Sequence, residues 1–250
     1  MIRTRHYLAA AATLFLGALT AHAQTAPAKW ADTISKEIDK AAIAGDPAKL
    51  AAARALAERV ATAFPEDGLI LHYQAFALYR EAMLIVGKGG NASAQLERAL
   101  TIFDKSLKKR PLAESHVLMS SIDGQLIARD PSRGMELGIA SQTSTTAAMS
   151  LAPTNPRVWL VRGQGAIFTP PEYGGGLKPA EEQLKRAIEL FAKDAPKPGE
   201  PSWGKAEAHA WLGQVYAQMG DKAKAAEEYK AALAIAPDYA FAKNLAAALK

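Results

Sequence analysis

Apolar residues recur along this chain at intervals of three and four, the spacing that gathers them on one face of a helix, and no segment shows the single alternation of a half-buried strand. The apolar helical runs end in proline near Pro65, Pro111, Pro153, Pro196 and Pro237, at spacings of 46, 42, 43 and 41 residues. Proline lacks an amide hydrogen and obstructs the turn before it, so it follows helices more readily than it sits inside them. A unit of that length holds two helices and two turns, and a recurring period in this range marks a repeat architecture. The pattern predicts eleven helices, over 30–43, 47–63, 67–86, 92–109, 113–129, 132–151, 156–167, 178–193, 203–219, 222–235 and 239–249. The last carries Phe241, Leu245 and Leu249 among alanines, as expected of a cap over the final pair's apolar face.

The clearest copy runs from Ala206 to Asp238. Leu212, Gly213 and Tyr216 lie on its first helix, Gly220-Asp221 makes the turn, and Ala225, Tyr229, Ala232 and Pro237 follow. This copy resembles the tetratricopeptide repeat, with one departure at His209, where the family usually has tryptophan. The resemblance implies that Gly213, Ala225 and Ala232 let two helices approach and that aromatics fill the space between neighbouring pairs. The preceding unit, 156–196, has Trp159, Gly163 and Ala166 on its first helix and Ala180, Leu184 and Ala187 on its second. Between them, Thr169 to Gly176 forms a turn about five residues longer than the family's, with prolines and glycines that exclude helix. Earlier units are more degenerate: Ala99, Phe103, Ser106 and Pro111 keep the second-helix pattern, Ala148, Leu151 and Pro153 its end, and a pair from Trp30 to Phe64 turns at Gly45-Asp46. The fold implied is an all-α, right-handed superhelical solenoid of about five antiparallel helix pairs and a C-terminal capping helix.

The first 23 residues read as a secretory signal: Arg3 and Arg5 precede an apolar run from Tyr7 to Leu19, and Ala21-His22-Ala23 closes it, with cleavage expected before Gln24. The reading places residues 24–250 in the periplasm as one solenoid domain. The run is too short for a permanent membrane helix, and no later stretch reaches the roughly 18 apolar residues a span needs. Of the formal charge of +5, the signal accounts for two arginines, leaving a mild surplus without a Lys/Arg block. Such a balance gives no electrostatic footprint for nucleic acid. Cysteine is absent, which removes disulfides, cysteine-ligated zinc, thiol catalysis and the residue a lipidated N-terminus requires.

Candidate chemistry is sparse. His72, His116 and His209 fall on the first helices of three different repeats, without the one-turn spacing of a metal pair. Gly87-Lys88-Gly89-Gly90-Asn91 has the wrong glycine pattern for a phosphate loop, follows a helix, and suits a turn. Gly163-Gln164-Gly165 lacks the third glycine of a dinucleotide fingerprint. Ser106-Leu107-Lys108-Lys109 matches a Ser-x-x-Lys pattern by letters, but its lysines suit a helix C-terminus. Acids such as Glu181 and Glu182 pair with Lys185 and Arg186 on a solvated face. The expectation is a protein without catalytic residues, metal or cofactor.

The first helices of such a solenoid line a concave groove suited to peptides or partner helices. Carrying the family's groove positions over by register gives His72, Phe76, Tyr79, Gln125, Gln164, Phe168, Gln214 and Gln218. Amides and aromatics predominate, which favours peptide backbone or mixed side chains over phosphate. Tyr173, in the Pro170–Gly176 loop, either protrudes toward a partner or folds back to plug the gap between helix pairs. The leading expectation is a periplasmic scaffold that binds another protein of the cell envelope. The alternative is a small-molecule-binding accessory of periplasmic transport.

Overall fold

A computed structural model describes the backbone of residues 9–249 and side chains from Pro27 onward. Of the expected signal segment, residues 1–8 lie outside the described backbone and the remainder outside the described side chains. Eleven α-helices follow one another among these residues: α1 Ala9–Ala44, α2 Pro47–Ala63, α3 Gly68–Gly87, α4 Ser93–Lys109, α5 Ala113–Arg129, α6 Gly134–Leu151, α7 Pro156–Phe168, α8 Leu177–Phe191, α9 Lys205–Gln218, α10 Lys222–Ile235 and α11 Ala240–Ala248. Among the described residues there is no strand. Within α2 to α10 the helix bounds fall within a few residues of those read from the proline period.

Local chemistry explains the starts and stops. Asp46 accepts from the amides of Ala48 and Lys49 at 3.0 and 3.1 Å, with Pro47 at the first helical position of α2. Asp67 caps α3 through Leu69 and Ile70, and Asn155 caps α7 through Arg157 ahead of Pro156. Each such cap contributes about 1 kcal/mol by satisfying amides that have no partner within the helix. Gly220 ends the α9 turn at φ 84°, a conformation that costs a side-chain-bearing residue strain.

The helices pack as consecutive antiparallel pairs, α3 on α4, α5 on α6, α7 on α8 and α9 on α10. Small residues set the approach, as the repeat pattern implies: a Cβ on Gly213 would lie 2.5 Å from the Tyr229 ring, and one on Gly163 would lie 2.7 Å from Leu184. A single apolar cluster runs through all these pairs, from Ala31 and Ile34 to Tyr229. The α6 helix is lightly embedded, with Leu137, Ser144 and Ala148 buried and Met135 and Ile139 open to solvent.

The solenoid is closed on itself where an open recess was expected. Between α8 and α9 the segment 192–204 crosses to α3, where Trp203 stacks on Phe76 at 5.3 Å and the Tyr73 hydroxyl donates to the Gly199 carbonyl at 2.9 Å. Gly199 also abuts α1: a Cβ there would lie 2.9 Å from the Ala28 carbonyl oxygen. From α1, Ile43 packs against the small cluster that holds Tyr239 and Ala242, and a Cβ on Gly45 just beyond it would lie 3.2 Å from that of Ala240, so the first helix meets the capping one. Arg80 of α3 meets Glu207 of α9 in a two-pronged ion pair.

Candidate functional site

Self-packing corrects part of the expected groove. His72 and Phe76 are fully buried and Tyr79 nearly so, and all three belong to the core. His72 Nδ1 lies 2.8 Å from Ser115 Oγ on α5, and burial pushes its pKa down to about 3, so the ring is neutral packing material. The Tyr79 hydroxyl lies 3.0 Å from Ser121 Oγ, and burial raises its pKa. These residues stand on first helices as read, but their flank of the recess is filled by Trp203, Gly199 and α5. The sequence signal missed was the run Pro196, Pro198, Gly199, Pro201 and Trp203. Prolines at that density keep a chain extended, and an extended strap ending in tryptophan can enter a groove.

Gln125 is half-buried at a separate place, in a shallow depression of about 190 Å³ shared with Val86, Leu96 and Arg129. The other expected residues gather on the C-terminal half. On α7, Gln164 and Phe168 share a face by their spacing of four, and Phe168 is 66% exposed. On α9, Trp211, Gln214 and Gln218 share a face by spacings of three and four. The rings join the elements: Phe168 meets Trp211 edge-on at 6.2 Å between centroids, and Trp211 packs against Phe241 of α11 at 5.2 Å. Trp159 lies on the same α7, with its indole nitrogen donating to the Pro153 carbonyl and the Arg162 guanidinium 4.9 Å over its ring.

This surface is an aromatic strip edged by amides. Edge-on and offset ring pairs are favourable beyond the area they bury, so the strip is held in place before any partner arrives. Gln214 Oε1 is buried without a hydrogen-bond partner among the described residues, while Gln218 is exposed. Trp211 and Phe241 lie outside the register-based set. Trp211 stands one turn before Gln214 and Phe241 reads in sequence as capping alone, so only the tertiary contact reveals them.

The long turn after α7 resolves the two readings of Tyr173 geometrically. Pro171–Tyr173 forms a short 3-10 turn, Gly174 at φ 81° ends it, and the Gly176 amide returns to the Ala166 carbonyl at 2.8 Å. The turn is therefore ordered, and Tyr173 stands 79% exposed on it instead of plugging the array.

Other titratable groups stay apart. His209 Nδ1 lies 2.7 Å from Glu228 Oε2, joining the two helices of its own repeat. Burial raises the Asp123 carboxyl to about 7, with Asp104 and Glu136 adding to the rise and Arg133 opposing it. Among the described residues no three of His, Asp and Glu converge as metal ligands would, and no helix is long and apolar enough to cross a membrane.

A family model for the tetratricopeptide repeat matches residues 206–239. That stretch, α9 and α10 with the turn between them, is a tetratricopeptide repeat, and the helix pairs before it share its fold. The chain is similar in fold to solved structures, among them the following two. The HusA haemophore from Porphyromonas gingivalis aligns with a TM-score of 0.63 and 21% identity over 75% of this chain and 92% of that one. A thermophilic tetratricopeptide-repeat protein of Thermus thermophilus aligns with a TM-score of 0.57 and 22% identity over 81% and 91%. No curated protein matches. Tetratricopeptide-repeat proteins generally serve as non-catalytic scaffolds that bind proteins or peptides.

Proposed function

We propose that this tetratricopeptide-repeat protein is a non-catalytic scaffold of the cell envelope, exported to the periplasm, that binds a protein partner through the Phe168–Trp211–Phe241 strip. Export is supported by the basic, apolar and small-residue segments of residues 1–23. The binding surface is supported by one observation above the others: Phe168 keeps 66% of its surface exposed while held edge-on against Trp211. Exposed, pre-positioned aromatics are the usual anchors of interfaces, because their large area is immobilised at little entropic cost. Gln164, Gln214 and Gln218 supply amides suited to a peptide backbone, and Tyr173 extends the surface from its ordered turn.

Replacing Phe168 and Trp211 by alanine, with Gln164 and Gln218 by serine, should abolish recovery of periplasmic partners on the immobilised protein while its helical dichroism persists. Undiminished recovery by that variant would remove the strip from the function.

A second reading, a small-molecule carrier serving transport, draws on the likeness to HusA, a haemophore, and on the same rings. A flat apolar molecule stacks on aromatic faces as a peptide side chain does. Titration with haemin separates the two: saturable quenching of tryptophan emission that is lost in Trp211→Ala supports the carrier, and linear, non-saturating quenching rejects it.

A further inference from the structure

The seam where the solenoid closes on itself contains more charge than its neighbours balance. Arg80 of α3 lies with its guanidinium 4.9 Å over the Phe76 ring and 5.2 Å over the Trp203 ring, and both its terminal nitrogens bond Glu207 of α9. Burial works against the Arg80 charge, yet the Glu207 carboxylate holds its pKa above the ordinary value. One cation and one anion are thereby matched. Within electrostatic reach of both, α1 brings a second carboxylate, Asp39, half-buried as a residue, whose Oδ1 is buried and, among the described residues, meets no hydrogen-bond donor.

Among the described residues, the charged groups around this seam leave Asp39 no cation of its own. From α3 come Arg80, already paired, and the Tyr73 phenol, whose hydroxyl is committed to the Gly199 carbonyl. From α7 comes Arg157, whose charge is matched by Asp194 at 2.7 Å. From α9 comes Glu207, a like charge. Tyr239, which leads into α11, is an uncharged phenol kept so by burial. On α1 itself Lys36 is exposed and held by Asp32, and Lys40 is exposed.

We propose that Asp39, Arg80 and Glu207 form a proton-sensitive clasp holding the first helix against the last repeat, and that ionisation of Asp39 loosens this seam. A neutral Asp39 leaves the pocket balanced; an ionised one adds an unmatched negative charge within reach of Glu207, with one of its oxygens shut off from water. Burial, the largest influence, lifts the Asp39 carboxyl to about 7, whereas in an opened seam it returns toward its ordinary value of 3.8. Since the closed form binds the proton more tightly, closure is at full strength below the ordinary carboxylate range. It weakens as pH rises, by up to about tenfold in the closing equilibrium per pH unit, until about 7. Loosening would bare Trp203, Phe76 and Tyr239 along the recess that tetratricopeptide folds use for binding. The inference does not depend on the Phe168 strip being the partner surface.

The test is hydrogen exchange on the full chain from about pH 5 to about pH 8.5, corrected for intrinsic rates, a range that brackets the Asp39 transition. Asp123→Asn is carried as background, because that carboxyl is raised as well and sits outside the seam. Amides of 31–44, 198–204 and 240–248 should lose protection with rising pH, while α5 amides hold theirs. Adding Asp39→Asn should abolish the loss. The same loss in the Asn variant, or none in the parent, overturns the clasp. Should the Asn variant fail to fold, the Asp39 carboxyl carbon is titrated directly by NMR in the parent: a midpoint near 7 supports the clasp and one near 4 refutes it.

Discussion

Tyr73 and Gly199 stand 126 residues apart in sequence, yet the phenol of one donates to the carbonyl of the other at 2.9 Å in the closed interior. Removing the donor leaves a buried carbonyl without a partner, a loss of about 1–3 kcal/mol. Tyr73→Phe should therefore lower the denaturation midpoint by a corresponding amount without changing helical content. Gly199→Ala should cost more, because its φ of 84° and the Ala28 carbonyl at 2.9 Å both oppose a Cβ. An alanine variant as stable as the parent would contradict the close approach of the strap to α1.

Two glycines on first helices should respond oppositely to alanine. Gly213 meets the Tyr229 ring and the Ala225 carbonyl, so Gly213→Ala should destabilise by about 1–3 kcal/mol through overpacking. Gly165 has open space around its Cα, and Gly165→Ala should be neutral or stabilise by up to about 1 kcal/mol through helix propensity. Urea denaturation of the two variants side by side checks both signs.

Arg157, 2% exposed, is paired with Asp194 at 2.7 Å beside the Phe191 ring. Asp194→Ala strands a buried guanidinium and should cost about 3 kcal/mol, whereas Arg157→Met with Asp194→Leu, which removes both charges, should recover most of the loss. Thermal melts of the single and double variants decide it; a double variant no better than the single would show that packing, not charge, governs the site.

Asp123 gives stability a pH dependence with a definite sign. Its folded-state carboxyl is raised to about 7 from 3.8, so the folded form holds the proton more tightly. Its contribution is complete below the ordinary carboxylate range and is lost as pH climbs to about 7. Asp123→Asn should flatten that part of the stability profile and stabilise the protein above about pH 7 by roughly 1–3 kcal/mol relative to wild type. Unfolding midpoints measured across pH in both proteins would expose a steepened profile, the outcome that would exclude this account.

Helices and caps are legible in the chain because their causes are local. Asp46, Asp67 and Asn155 announce helix starts, the prolines announce ends, and Gly213 with Ala225 reports a close crossing. What stays hidden is what depends on distant partners. His72, Phe76 and Tyr79 sit on first helices as the register requires, but nothing near them in sequence says that Trp203 covers Phe76 or that α5 serines receive His72 and Tyr79. Phe168 is legible as a surface residue by spacing, while its neighbours Trp211 and Phe241 are visible only once α7, α9 and α11 are side by side.

In a linear stack of helix pairs each end touches one neighbour, and unravelling starts there at low cost. Here Ile43 packs on the cluster of Tyr239 and Ala242, and the 192–204 strap lies against both α1 and α3. Each end of the described array is therefore held by the other, while α6, which buries only Leu137, Ser144 and Ala148, sits in the middle. Loss of order therefore has an interior starting point around Met135 and Ile139, where a linear stack would offer only its extremities.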